Sequence, residues 1–152
     1  MMVIRQNTDY AFRVMVNLAQ NWPSKTVSAR ALAEAEKVAY QFTCKILQVL
    51  HEAKLLESTM GSQGGYRLSR SPEEITMLDV IRAVQGPISV NKCMLGRDNC
   101  PRMAYCFVTD KLAELQNWME SFLKGVTLQE LVQRQARAPA LAENEFSGDK
   151  LR

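Results

Sequence analysis

Histidine is nearly absent from this chain: His51 is the only one. With one imidazole and no nucleophile set beside a base, acid–base capacity is small, and no enzyme is expected. His51 falls near the end of a helical stretch, where partial positive charge is favourable, and is not assigned as a ligand. No run of about 18 apolar residues occurs, so no membrane span is expected. Arg5, Asp9 and Arg13 interrupt the first stretch and deny it the apolar core of a signal peptide, which points to a cytoplasmic protein. A strong charge of one sign is also missing. The 19 Lys/Arg and 16 Asp/Glu leave a net +3, which does not by itself establish nucleic-acid binding. The distribution says more: residues 1–92 hold 11 basic against 8 acidic side chains, and residues 93–152 hold 8 of each.

What is present is a moderate apolar content, 47% of 152 residues, enough for one domain or one domain with a helical arm. Ala11, Val14, Met15 and Leu18 recur at helical spacing after Thr8, which can cap the helix, and Asp9, which suits its positive end; Asn21 and Pro23 end it. Ser28 caps a second, shorter helix to about Glu36, with Ala31, Leu32 and Ala35 as its apolar face. After a tight turn at Lys37-Val38, a third helix runs from about Ala39 to Ala53. Phe42, Ile46, Val49 and Leu50 form its inner stripe and leave Gln41, Thr43, Cys44, Lys45 and Gln48 on other faces. Two short helices joined by a tight turn, the second with a polar outer face, read as a helix-turn-helix.

Lys54–Met60 and Tyr66–Ser69 read as strands around the turn Gly61-Ser62-Gln63-Gly64-Gly65, and a hairpin directly after a helix-turn-helix is a winged helix. The turn is not a phosphate loop: Lys-Ser/Thr does not follow its last glycine, and a strand rather than a helix comes next. Ser71-Pro72-Glu73-Glu74 carries a helix-start signature. Thr76 to Asp79 carries a second, of capping-box type, for a helix that Gly86-Pro87 stops and that is expected to pack on the wing. The longest helix starts at Thr109-Asp110. Its Leu112, Leu115, Met119 and Phe122 form a seam that fits either the same helix of a second copy or an intramolecular core. Thr127-Leu128-Gln129-Glu130 opens a last short helix. The Ala-, Pro- and Glu-rich residues from 136 on read as a flexible tail.

Three of the four cysteines, Cys93, Cys100 and Cys106, fall in one segment with Gly96 and Pro101 between them. Without an export signal, the trio reads as a metal or redox site rather than a disulfide framework. Zinc sites usually include one close Cys pair, which this spacing lacks. Wide spacings suit a cuboidal iron–sulfur cluster, whose irons take soft thiolates from several directions. Three thiolates leave one iron for a non-cysteine ligand. Ordinary half-buried thiols, a metal-free thiol–disulfide switch and a zinc site stand beside that reading. Cys44, on the outward side of the third helix, is either a small helix residue or a redox-sensitive thiol at the DNA face.

Together, Thr8-Asp9-Tyr10-Ala11-Phe12-Arg13, Gly61-Ser62-Gln63-Gly64-Gly65-Tyr66-Arg67-Leu68, the three-cysteine segment and Thr127-Leu128-Gln129-Glu130-Leu131-Val132 resemble the Rrf-type family of bacterial winged-helix transcription regulators, with its IscR-, NsrR- and RirA-like branches. The resemblance covers residues 2–134. It implies a mainly α fold with a small β-hairpin wing and a long dimerisation helix. The chain is then divided into a winged helix-turn-helix at 1–85, a cysteine loop at 86–108, dimerisation and C-terminal helices at 109–135, and the tail at 136–152. It also implies a homodimer, acting as a repressor, that binds double-stranded DNA at pseudo-palindromic promoter sites under the control of an iron–sulfur cluster sensing nitric oxide, redox state or iron and cluster supply. Cys93, Cys100 and Cys106 match the ligating cysteines. Thr109 stands where the IscR branch has a histidine, and Asp9 matches the aspartate that the NsrR branch donates from the other subunit, so an NsrR-like [4Fe–4S] site is favoured over a [2Fe–2S] one. Tyr40, Gln41, Thr43 and Lys45 are the expected base and phosphate contacts, and Ser62 and Gln63 at the wing tip approach the backbone. Met60 stands where the family often has arginine. Two other classes remain: a cluster-free winged-helix regulator working by thiol oxidation or a partner protein, and a small redox or electron-transfer iron–sulfur protein.

Overall fold

Apolar side chains at helical spacing need a second surface to bury against, and the first helix finds several. The computed structural model describes residues 4–91 and 106–145, with side chains to residue 137. Helix α1 (Gln6–Gln20) buries Ala11, Val14, Met15 and Leu18. It packs against α2 (Ala29–Glu36), α3 (Tyr40–Glu52) and α4 (Met77–Gln85), and also against α6 (Leu128–Glu145). Strands β1 (Leu56–Thr59) and β2 (Gly65–Leu68) form one antiparallel hairpin, with Leu56 opposite Leu68 and Glu57 opposite Arg67. Helix α5 (Phe107–Gly125) lies against α4.

The core has two parts. The larger joins Val14, Met15 and Leu18 of α1 to Leu32, Leu47 and Leu50 of the helix pair, Leu56 and Leu68 of the hairpin, and Leu128 of α6. The smaller joins Leu78 and Ile81 of α4 to Ile88 and to Leu123 of α5, with Met119 packed against it. Phe12 touches both.

Several boundaries differ from those the sequence predicts. Thr8 is not a cap: α1 begins at Gln6, and Thr8 lies buried within it, donating to Gln85 Oε1 at 2.8 Å. Ala31 and Ala35 are exposed, and Leu32 with Ala33 forms the inner face of α2. Ser71–Glu74 makes a turn rather than a helix start, closed by the Glu74 N–H to Ser71 O bond at 2.9 Å. The capping box of α4 is present in both directions between Thr76 and Asp79. Helix α4 packs mainly on α1, α3 and α5, not on the wing, because Val80 and Ile81 point into the two cores.

The C-terminal pair is no separate arm. Met77 N–H bonds Val126 O and Leu128 N–H bonds Ile75 O, each at 2.9 Å, and Leu128 is fully buried in the larger core. Helix α6 continues to Glu145, ten residues beyond the predicted end at 135, in keeping with the helix-forming strength of its alanines and glutamates.

Candidate nucleic-acid interface and thiol centre

Helices α2 and α3 are set by short-range bonds. Ser28 Oγ accepts from Ala31 N–H at 3.2 Å and caps α2. Lys37 then takes a left-handed conformation (φ 54°), and Val38 N–H reaches back to Ala33 O at 3.0 Å, closing the turn. Ala39, at the N-cap of α3, makes no side-chain capping bond. One face of α3 anchors it through Thr43, Ile46, Leu47 and Leu50. The opposite stripe, Gln41, Lys45 and Gln48, is exposed.

Thr43 is therefore removed from the expected contact set. It is fully buried, and its hydroxyl donates to Ala39 O at 3.2 Å. Gln48 shares the stripe of Gln41 and Lys45, a place that its spacing seven residues after Gln41 could have signalled. Tyr40 is half-exposed beneath the Arg30 guanidinium, which sits 5.6 Å from the ring centroid. A hydrogen bond with Cys44, one turn on, raises the Tyr40 hydroxyl pKa above the usual phenol value. Cys44 itself is a half-buried free thiol.

The wing depends on close backbone approach. Tyr66 exchanges two hydrogen bonds with Val27, both 2.9 Å, just ahead of α2. A Cβ on Gly65 would lie 2.6 Å from Val27 O, and one on Gly64 would lie 2.3 Å from Thr59 O, so both positions exclude larger residues. Ser62 and Gln63 are exposed at the tip, where Gln63 O accepts from the Thr26 hydroxyl. Met60 is 97% exposed there. Arg67 is engaged by Glu57 across the strands at 2.9 Å, so no cation on the hairpin strands is free.

Of the three clustered cysteines, only Cys106 lies among the described residues; Cys93 and Cys100 lie outside them. Cys106 is the N-cap residue of α5 and makes no capping bond as a neutral thiol. The Thr109 hydroxyl and the Val108 and Thr109 N–H groups favour its thiolate and hold its pKa below the ordinary thiol value. A soft donor poised to ionise at a helix N-terminus is what an iron or zinc ligand requires, and in this respect Cys106 fits such a group. Among the described residues alone, no three His, Cys, Asp or Glu side chains gather to hold a metal. Asp9 is half-exposed in the first turn of α1 and pairs with Arg13 at 2.9 Å.

Helix α5 divides the predicted seam. Met119 turns inward against the smaller core, and Leu112 is half-buried. Leu115 and Phe122 face outward, joined by Trp118, which stacks on Phe122 at 6.0 Å between ring centroids and is 68% exposed. Trp118 falls between the predicted seam positions, so the stripe drawn from the sequence passed it by. Among the described residues, no helix is long and apolar enough to cross a membrane.

Comparison with known proteins agrees with this architecture. The profile of the Rrf2 family, described as an iron-dependent transcriptional regulator, matches residues 4–134. The chain is 27% identical over 143 residues to protein rrf2 of Nitratidesulfovibrio vulgaris, covering 94% of this chain and 95% of that protein. It is 29% identical over 123 residues to the transcriptional regulator IscR of Aliivibrio salmonicida, covering 81% and 73%. Its fold matches CymR, the global cysteine regulator of B. subtilis, with a TM-score of 0.72 at 23% identity over 88% of this chain and 98% of that one. The chain belongs to the Rrf2 family of DNA-binding, winged-helix transcriptional regulators.

Proposed function

We propose that this regulator is a cytoplasmic homodimer, acting as a repressor, whose promoter binding follows the state of an iron–sulfur cluster held by Cys93, Cys100 and Cys106. Asp9 of the other subunit is the fourth ligand. The observation that carries this reading is the placement of Cys106: an acidified thiol at the N-terminus of the same helix that exposes Leu115, Trp118 and Phe122. That apolar face is suited to a second copy of α5. Bound there, a cluster supplies a centre that reacts with nitric oxide and oxidants, with a [4Fe–4S] form favoured.

The chain's own residues do the rest. Gln41 and Gln48 read base edges in a major groove, while Lys45, Tyr40 and the uncapped first amides of α3 contact phosphates. Ser62 and Gln63 meet the backbone at the wing, and two-fold symmetry calls for a pseudo-palindromic site. Asp9 must leave Arg13 to ligate. Were Asp9 to ligate a cluster, its release would let it pair again with Arg13 and would untether the first helices of the two copies, changing the spacing of the two α3 helices.

The test is iron and acid-labile sulfide per subunit on anaerobically purified protein, with promoter binding measured in parallel. Near-stoichiometric iron and sulfide, lost in Cys100→Ser together with any dependence of DNA affinity on cluster state, are expected. An Asp9→Ala protein with an unchanged absorption spectrum would remove Asp9 from the ligand set. Absence of iron and sulfide even after reconstitution would overturn the cluster. The second reading, a cluster-free winged-helix regulator working by cysteine thiol oxidation or through a partner protein, would then stand.

A further inference from the structure

The backbone that enters the cysteine-bearing segment is held by a side chain. Gln116 of α5 accepts from Val90 N–H at 3.0 Å and donates to Ile88 O at 2.8 Å. These are the two groups that a neighbouring strand would take in a β-bridge, so one side-chain amide substitutes for a strand. Gln116 Nε2 also donates to Glu120 Oε1 at 2.6 Å, and the other oxygen of Glu120 accepts from Arg82 of α4 at 2.9 Å. An unbroken polar chain thus runs from residue 90 to α4.

We propose that Gln116 is a positioning residue that couples residues 88–90, which lead in sequence to the three clustered cysteines, to α4 through Glu120 and Arg82. Beside the polar chain, Ile88 is buried against Leu78, Ile81 and Leu123, so displacing residues 88–90 disturbs apolar and polar contacts together. Helix α4 in turn packs on α3, which carries the exposed Gln41, Lys45 and Gln48, and on α1, which carries Asp9. A shift at residues 88–90 therefore reaches the DNA-facing helix through directly packed neighbours. The regulatory consequence rests on the reading that the state of Cys93, Cys100 and Cys106 governs promoter binding; the mechanical link does not.

The link is tested by amide exchange in the full-length chain. Arg82 does not touch Val90, yet Arg82→Ala is expected to speed exchange of the Val90 N–H, and Gln116→Leu to speed it by about two- to tenfold. Val90 exchange that responds to Gln116→Leu but not to Arg82→Ala would overturn the chain. Promoter affinity is then compared before and after N-ethylmaleimide, in a Cys44→Ala background so that only the clustered thiols react. A ratio different from one in the parent that collapses toward one in Gln116→Leu supports the coupling; a ratio retained in Gln116→Leu overturns it. A parent ratio of one would instead overturn the reading of cysteine control, and the exchange result alone would decide the link.

Discussion

Cys106 shows how much one position can decide. Its thiol is acidified by the Thr109 hydroxyl first, then by the Val108 and Thr109 amides. Below its lowered pKa the group is a neutral thiol; above it the thiolate is the reactive form. Thr109→Val is therefore expected to raise that pKa and slow alkylation of Cys106 by iodoacetamide at neutral pH, measured on its own peptide by mass spectrometry in cluster-free protein. An unchanged rate would assign the acidification to the helix amides alone. Thr109 also illustrates a position the sequence made legible only by comparison: as the residue three after the last cysteine it marked a departure from one family branch, but its contact with the thiol belongs to the first turn of α5.

At the scale of the element, α3 and α5 each present one face inward and one outward, and the division is not where simple spacing places it. Thr43 was expected to contact DNA because it is polar, yet its hydroxyl is satisfied by Ala39 O inside the core. Thr43→Val is expected to leave promoter affinity nearly unchanged. Gln41→Ala or Gln48→Ala is expected to lower affinity by about 1–3 kcal/mol, the worth of a good base contact. Competition binding at fixed salt separates these outcomes, and a loss on Thr43→Val equal to that on Gln41→Ala would return Thr43 to the interface. On α5, Met119 faces the core and Phe122 faces out. Phe122→Asp is expected to yield monomer by sedimentation, with the protomer still folded by circular dichroism and its Tm no longer dependent on protein concentration. A dimer that survives this change would move the interface off the Leu115–Trp118–Phe122 face.

At the scale of the whole molecule, the domain division read from the sequence separates what the packing joins. Leu128 is fully buried among residues of α1 and the helix-turn-helix, and the backbone of 126–129 bonds to that of 72–77. Removing residues 127–152 would open a cavity where Leu128 sat and leave the Ile75 carbonyl unpaired. Loss of a buried leucine costs about 2–5 kcal/mol. The truncated chain is expected to unfold at clearly lower denaturant, whereas a chain ending at residue 137 keeps Leu128, Leu131 and Val132 and should unfold near the full-length midpoint. Equal midpoints for all three chains would restore the separable arm.

The sequence by itself determined the helices, the hairpin, the cap at Ser28, the capping box at Thr76 and Asp79, and the family. Each rests on interactions within a few residues or on a motif, and local chemistry is written in order along the chain. The trio of cysteines and the Gly64-Gly65 turn were legible for the same reason. Only the tertiary structure decided that Thr8 and Thr43 turn inward, that Trp118 completes the outer face of α5, that α6 closes the N-terminal core, and that Gln116 grips the backbone of Ile88 and Val90. Those outcomes depend on which surface lies opposite a residue, and periodicity identifies a face without naming what covers it. A glutamine 26 residues from the amide it accepts from carries no local signal of that contact.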